Sequence, residues 1–367
     1  MRWALVALLL ASGACKREAP KVDAGGAVVV RDAPAPRAAP GVNRAVLDEL
    51  RDGGWRLAWN SERSGQPQVV VDGAPLTGGP AAHYLGAVLP DGAGVIATAS
   101  EGGLEELRLV RLDGGVRALG EASLRARHPT VSADGQSVIY ESGAGSLSKL
   151  SRVELSDGGT SVVLDEPTGC FEPALAPEGT WLAYVSSGDG DSEVYRVDLD
   201  AGRRQRLTAF HLEDFRPRVS PDGKWIAFLS NREGRDRLFL VRPDGRGQRR
   251  LHEGVPPAGA WDAGAVEAGE QDAVWTPDSR RLVFAARSEG GFWHLASAEA
   301  ASGRATLLAA GPWDDHQPQV SADGRFLAFV STRSGTPEVW LARPDGGVTR
   351  VSDDAAPDWQ PMFLRAR

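Results

Sequence analysis

Apolar residues along this chain come in short unbroken runs, not in stripes of helical spacing. "WLAYV" (181–185), "WIAFL" (225–229), "RLVFA" (281–285) and "FLAFV" (326–330) are examples. A strand with one wet face would alternate apolar and polar residues, so continuous apolarity predicts strands covered on both faces. Each run follows an Asp-Gly pair or a close equivalent. The marks are Asp52-Gly53, Asp91-Gly92, Asp134-Gly135, Glu178-Gly179, Asp222-Gly223, Asp278-Ser279 and Asp323-Gly324. Asp-Gly supplies the positive φ that a tight hairpin needs. The marks recur at intervals of 39 to 56 residues.

Each interval reads as four strands. In the plainest one these are "PRVS" (217–220), "WIAFLS", "RLFLVRP" (237–243) and "QRRLH" (248–252). A period in the forties with four short strands per unit is the signature of a propeller blade. One such unit cannot bury its own faces, so its neighbours must cover them. The tail "DWQPMFLRAR" (358–367) is a lone first strand, and the first unit, near Trp55, lacks a good one. The tail is therefore expected to complete the first blade and remove the exposed edges. The fold expected is all-β: a single β-propeller of seven four-stranded blades, or six if the weak first unit is only a cap.

The pattern P-x-x-S-P-D-G-x-x-I-A-F-x-S-x-R-x-G resembles the WD40-like repeat of TolB-type β-propellers. It is plainest at 217–234, 318–335 and 173–190, weaker at 129–145, and the resemblance extends over 51–364. It implies the fold far more specifically than any activity. TolB itself carries an additional N-terminal α/β domain for which this sequence has no room, so a Tol–Pal role does not carry across.

The N-terminus changes the expected address. "MRWALVALLLASGAC" has one basic residue, an apolar run too short to span a bilayer, then small residues. It resembles a bacterial lipoprotein signal, which implies a signal peptide over 1–14 and a lipidated Cys15, although Ser12 stands where that family usually has Leu. Several acyl chains would anchor the chain durably. Lys16 after the cysteine points to the outer membrane, facing the periplasm; a soluble secreted or periplasmic protein is the alternative. Residues 15–43, rich in Ala, Pro and Gly, read as a tether, and 44–367 as the propeller.

The 367 residues carry a net charge of −8, with pI about 5.4 and no basic stripe, which argues against nucleic acid as a partner. Two distant cysteines, Cys15 and Cys170, form neither a zinc motif nor a disulfide framework. No G-x-S-x-G elbow is present, and peptidases with TolB-like propellers append a hydrolase domain that this chain does not show. No cofactor is called for, and a monomer is expected.

Candidate binding residues follow from counting along the repeats. The position one before each first-strand Pro-equivalent holds Leu85, His128, Glu172, Arg216, Asp272, Gln317 and Gln360. The position before that holds Tyr84, Arg127, Phe171, Phe215, Gln271, His316 and Trp359. First strands surround the axis, so His128, Glu172, Arg216, Asp272, His316, Gln317 and Gln360 are expected around the channel mouth. They form either a neutralising rim or a pocket for a small polar ligand or peptide end. Acid-rich connectors and the insertion "HEGVPPAGAWDAGAVEAGEQD" lie on that same face. Metal is not called for by ligand spacing. Propeller lyases that act on oligogalacturonate nevertheless share the repeat and use His and Gln around a divalent ion, which brings in His128, His316, Gln317 and Gln360. "GDGDSE", with Asp189, Asp191 and Glu193, reads as a plain hairpin turn and not a calcium loop. The function expected is non-enzymatic binding of an envelope protein or peptide at one end of the propeller. A metal-assisted polysaccharide lyase, or another carbohydrate-active enzyme, is the alternative.

Overall fold

The unbroken apolar runs form second strands that are buried along their whole length, as in Ile226–Ser230 and Trp181–Ser186. This computed structural model describes residues 41–123, 125–143, 147–188, 190–255, 269–287, 291–309, 311–343 and 345–367. Expectations for the leader, Cys15, most of the tether and most of the insertion fall outside the described residues.

The strands form seven four-stranded antiparallel sheets. The inner strands of blades 2 to 7 are Ala82–Val88, Ala126–Val131, Cys170–Leu175, Asp214–Val219, Gly269–Trp275 and Asp315–Val320. Blade 1 takes its inner strand from the other end of the chain: Asp358–Arg365 pairs antiparallel with Trp55–Ser61, in the register Leu57 to Phe363 and Ser61 to Asp358. Each inner strand touches the next, and the C-terminal strand touches both blade 7 and blade 2, so the circle closes.

The core lies between blades rather than within them. Six hydrophobic clusters each straddle two neighbouring blades. Blade 5 shows why its second strand cannot alternate: Ile226 and Phe228 pack towards blade 4, while Ala227 and Leu229 pack towards blade 6. Every residue of such a strand has an apolar neighbour to meet.

The turn motif has a local cause. Ser220 donates to Asp222 at 2.7 Å, and the same Asp oxygen accepts the Lys224 N–H at 3.1 Å. The Ser220 hydroxyl in turn accepts the Trp225 N–H at 3.0 Å. Ser321 and Asp323 repeat this arrangement, as do Thr276 and Asp278. Gly223 and Gly324 take positive φ, and Ser279 at φ 59° holds the same conformation without glycine.

One mark departs from expectation. Asp52-Gly53 does not open a hairpin; it ends a helix, Arg44–Asp52, whose Asn43 cap accepts the Val46 N–H. Val46, Leu47 and Leu50 pack against Trp55, Phe326 and Leu341, sealing the seam between blades 7 and 1. Val42 bridges to Ser352 and covers part of the outer edge of blade 7.

Candidate functional site: the channel mouth

In six of the seven inner strands one residue has φ between 49° and 57°: His128, Glu172, Arg216, Asp272, Gln317 and Gln360. Each sits at a β-bulge, where the register with the second strand slips, as between Phe215 and Arg218. Five of them precede proline, which disfavours the helical well for the residue before it. Positive φ costs an L-residue about 1–2 kcal/mol, and such strain persists only where the surroundings over-determine it. The strained residues are thus the ones that the counting placed at the mouth, His316 excepted.

What over-determines them is a chain of hydrogen bonds running round the ring. The Glu172 carboxylate accepts the Arg216 backbone N–H at 2.6 Å. Asp272 accepts the Gln317 N–H at 3.3 Å, and the Gln317 side chain accepts the Gln360 N–H at 2.7 Å. Arg216 reaches Asp272 only at 3.8 Å, an ion pair without a hydrogen bond. On the other side, Glu141 faces His128 Nδ1 at 3.0 Å and accepts the Glu172 N–H at 3.5 Å. Glu141 is buried, which alone would raise its pKa, but hydrogen bonds from His128 and Arg125 outweigh burial and hold it below the usual carboxylate range.

Blade 2 breaks the pattern. Its equivalent residue is Leu85, buried and without positive φ, and its bulge is one residue shorter. The Leu85 N–H is instead taken by Asn60 of blade 1, at 2.8 Å. Gly86 follows because a Cβ there would lie 2.5 Å from the Pro129 ring.

His316 does not join the ring. Its Nδ1 lies 3.0 Å from the Gln271 amide nitrogen and therefore accepts, and its ring packs against Trp293. Burial lowers its pKa against the pull of Asp272, Asp314 and Asp315, so the imidazole is neutral near pH 7. Cys170 is fully buried, and burial, reinforced by Glu166, pushes its thiol up to about 12; it is unreactive packing. Glu193 of the "GDGDSE" turn is committed to Arg206 and the Phe210 N–H, while Asp189 lies outside the described residues.

Below the ring a cavity of about 210 Å³ opens beside Arg218, lined on the channel side by His128, Arg216 and Asp272. Its other walls, Leu229, Leu238 and Ala273, reach between blades 5 and 6. Arg218 was not among the counted residues, yet it is the one charge at its level. In the same register the other blades place Ala87, Thr130, Ala174, Val274, Gln319 and Met362. Its side chain is open to solvent but sits down in the concave mouth, with protein packed around it. That enclosure pulls its pKa down, opposed by Glu172 and Asp272 and reinforced by Arg216. The guanidinium remains charged regardless.

Among the described residues no three His, Cys, Asp or Glu side chains are grouped to hold a metal ion.

Comparison with known proteins agrees with this geometry. Residues 128–256 match the family model described as the TolB beta propeller domain. An uncharacterized protein of Agrobacterium fabrum is 34% identical over 88 residues, which cover 24% of this chain and 30% of that protein. TolB from Acinetobacter baumannii superposes with TM-score 0.55 at 17% identity, over 84% of this chain and 66% of TolB. An oligogalacturonate lyase in complex with manganese gives TM-score 0.62 at 16% identity, over 82% and 86% of the two chains. The chain thus spans just under two thirds of TolB and under one third of the curated relative. Likeness at these identities speaks for the fold alone: the chain is a seven-bladed β-propeller whose residues 128–256 are similar to the TolB beta propeller domain.

Proposed function

We propose that this propeller is a binding module that receives a protein or peptide partner at its channel mouth, without catalysing a reaction. The observation that carries the reading is the strained, cross-pinned ring. Glu172, Asp272 and Gln317 spend their side chains on the backbone of the next blade. Groups fixed in this way hold a surface in one shape, whereas a general acid or base must be free to exchange a proton with substrate. A preformed rim around a narrow opening suits a partner segment that docks without rearranging the propeller. The leader-like start and Cys15, outside the described residues, support a partner in the bacterial envelope on the periplasmic side.

The test places a photo-crosslinking residue at Tyr84, half-exposed beside the mouth, or at Asp200, exposed on the opposite face. The reading expects the same envelope protein or peptide to be captured from Tyr84 and not from Asp200. Equal capture at both faces, or a stoichiometric divalent metal in the purified protein, would overturn it.

A further inference from the structure

The mouth has one feature that the pinned ring does not explain. Arg218 has no carboxylate within ion-pair distance among the described residues; its only hydrogen bond is to the Pro217 carbonyl, at 3.1 Å. A guanidinium offers five donors in a planar fork. Arg218 lines the cavity. The two nearby carboxylates are otherwise engaged: Glu172 with the Arg216 N–H, Asp272 with the Gln317 N–H and Arg216.

Arg216 and His128 border the same space, so two guanidiniums and an imidazole meet there. Opposite them the wall is aliphatic: Leu229, Leu238 and Ala273. The cavity, about 210 Å³, is below the roughly 300–1,000 Å³ of sites for drug-sized ligands, so it takes an end group and not a whole molecule. A forked cation beside a small apolar wall is complementary to a carboxylate with an aliphatic group one bond away.

Building on the mouth-binding reading, we infer that the cavity beside Arg218 captures the C-terminal residue of a partner peptide, its free carboxylate on Arg218 and a small aliphatic side chain against Leu229 and Leu238. A main-chain carboxylate fits better than an acidic side chain because its neighbouring Cα carries the group that the aliphatic wall receives. Arg216 adds a second positive charge at the entrance, and Asp272 disfavours ligands with further negative charge.

The experiment uses the full chain and saturation-transfer NMR with N-acetylated Gly-Gly-Val, its C-terminal amide, Gly-Gly-Asp, and isovalerate as a free acid. Gly-Gly-Val should bind at least tenfold more tightly than its amide and more tightly than Gly-Gly-Asp, and binding should weaken with salt. Arg218→Met should abolish the preference for the free acid. It keeps the fold because Met362 occupies the same register position in blade 1, and unchanged thermal unfolding verifies this. Equal binding of acid and amide, or a preference surviving in Arg218→Met, overturns the carboxylate inference but leaves the mouth as a binding surface. Isovalerate binding as tightly as the peptide overturns the peptide source in favour of a free small acid. If no peptide binds at all and Tyr84 captures nothing, both readings fall together.

Discussion

Arg63 donates to the Ser61 hydroxyl at 3.0 Å and to the Gly73 carbonyl at 3.2 Å, and in this position it leaves both oxygens of buried Asp358 without an arginine donor among the described residues. Blades 5 and 7 show what is missing. There Arg232 and Arg333 also bond a serine two residues back, but each reaches both oxygens of a buried aspartate: Asp214 at 3.0 and 2.7 Å, Asp315 at 2.9 and 3.1 Å. Asp358 holds the same register against Ser61 that Asp214 holds against Ser230. Burial pushes its carboxyl up to about 6, with the Ser61 hydroxyl opposing and Asp354 adding to the rise. Glu338 beside it is raised as well, by burial and by Asp358 and Asp354.

The closing strand should therefore hold better in mild acid than at pH 8. A folded-state pKa above the unfolded value gives stability that is complete below about pH 4 and lost as pH rises through about 6. Asp358→Asn should add on the order of 2–3 kcal/mol at pH 8 and little at pH 4.5. Thermal unfolding of both proteins across that range checks it, and an equal gain at both ends would rule out the unpaired charge as the cause.

The completed pairs predict the opposite response. Arg333→Met strands Asp315, fully buried, and should cost about 3–5 kcal/mol. Combining it with Asp315→Asn should recover most of the loss. Denaturant unfolding of the two single variants and the double variant measures the coupling; simple additivity would show that the pair does not act as a unit.

At the mouth, strain and pinning separate by residue. Arg216 has positive φ and only a long ion pair, so Arg216→Gly should leave stability unchanged or raise it by up to about 1 kcal/mol, whereas β-branched Arg216→Val should lower it by more than about 1. Glu172→Gly also relieves strain but frees the Arg216 N–H, so it should be less stable than Arg216→Gly. Valine tolerated as well as glycine at position 216 would remove the backbone argument.

Deleting 358–367 takes the inner strand from blade 1 and exposes an edge on Trp55–Ser61. The shortened chain should lose its cooperative melt and self-associate, and a synthetic peptide of those residues should restore the melt. Calorimetry with size-exclusion chromatography reads both. A truncated protein that stays monomeric with an unchanged melt would show that closure contributes nothing.

The repeat made most of this readable in advance. Seven inner strands, closure by the tail and the positions of the ring residues follow from counting back from one Pro-equivalent column, because each blade solves the same packing problem with similar residues, whereas the positive φ at those positions had no sequence signal. Reading failed where a residue departs from its column. Arg218 stands two places after the turn of that count, among Ala, Thr, Val, Gln and Met, and only comparison down the column marks it as odd. The helix was hidden by Asp52-Gly53, which mimics a hairpin mark; Asn43 with Val46, Leu47 and Leu50 was the competing signal. His316 shares a strand with Gln317, but neighbouring strand residues point to opposite sides, so adjacency in sequence separated it from the ring.

Leu85 is the place where the wheel ceases to look alike from spoke to spoke. Seven equivalent blades would present a docking segment with seven interchangeable rotations about the axis. With one spoke lacking the positive φ and its backbone held by Asn60, the rim has a beginning and an end, and an asymmetric partner can meet it in a single azimuth.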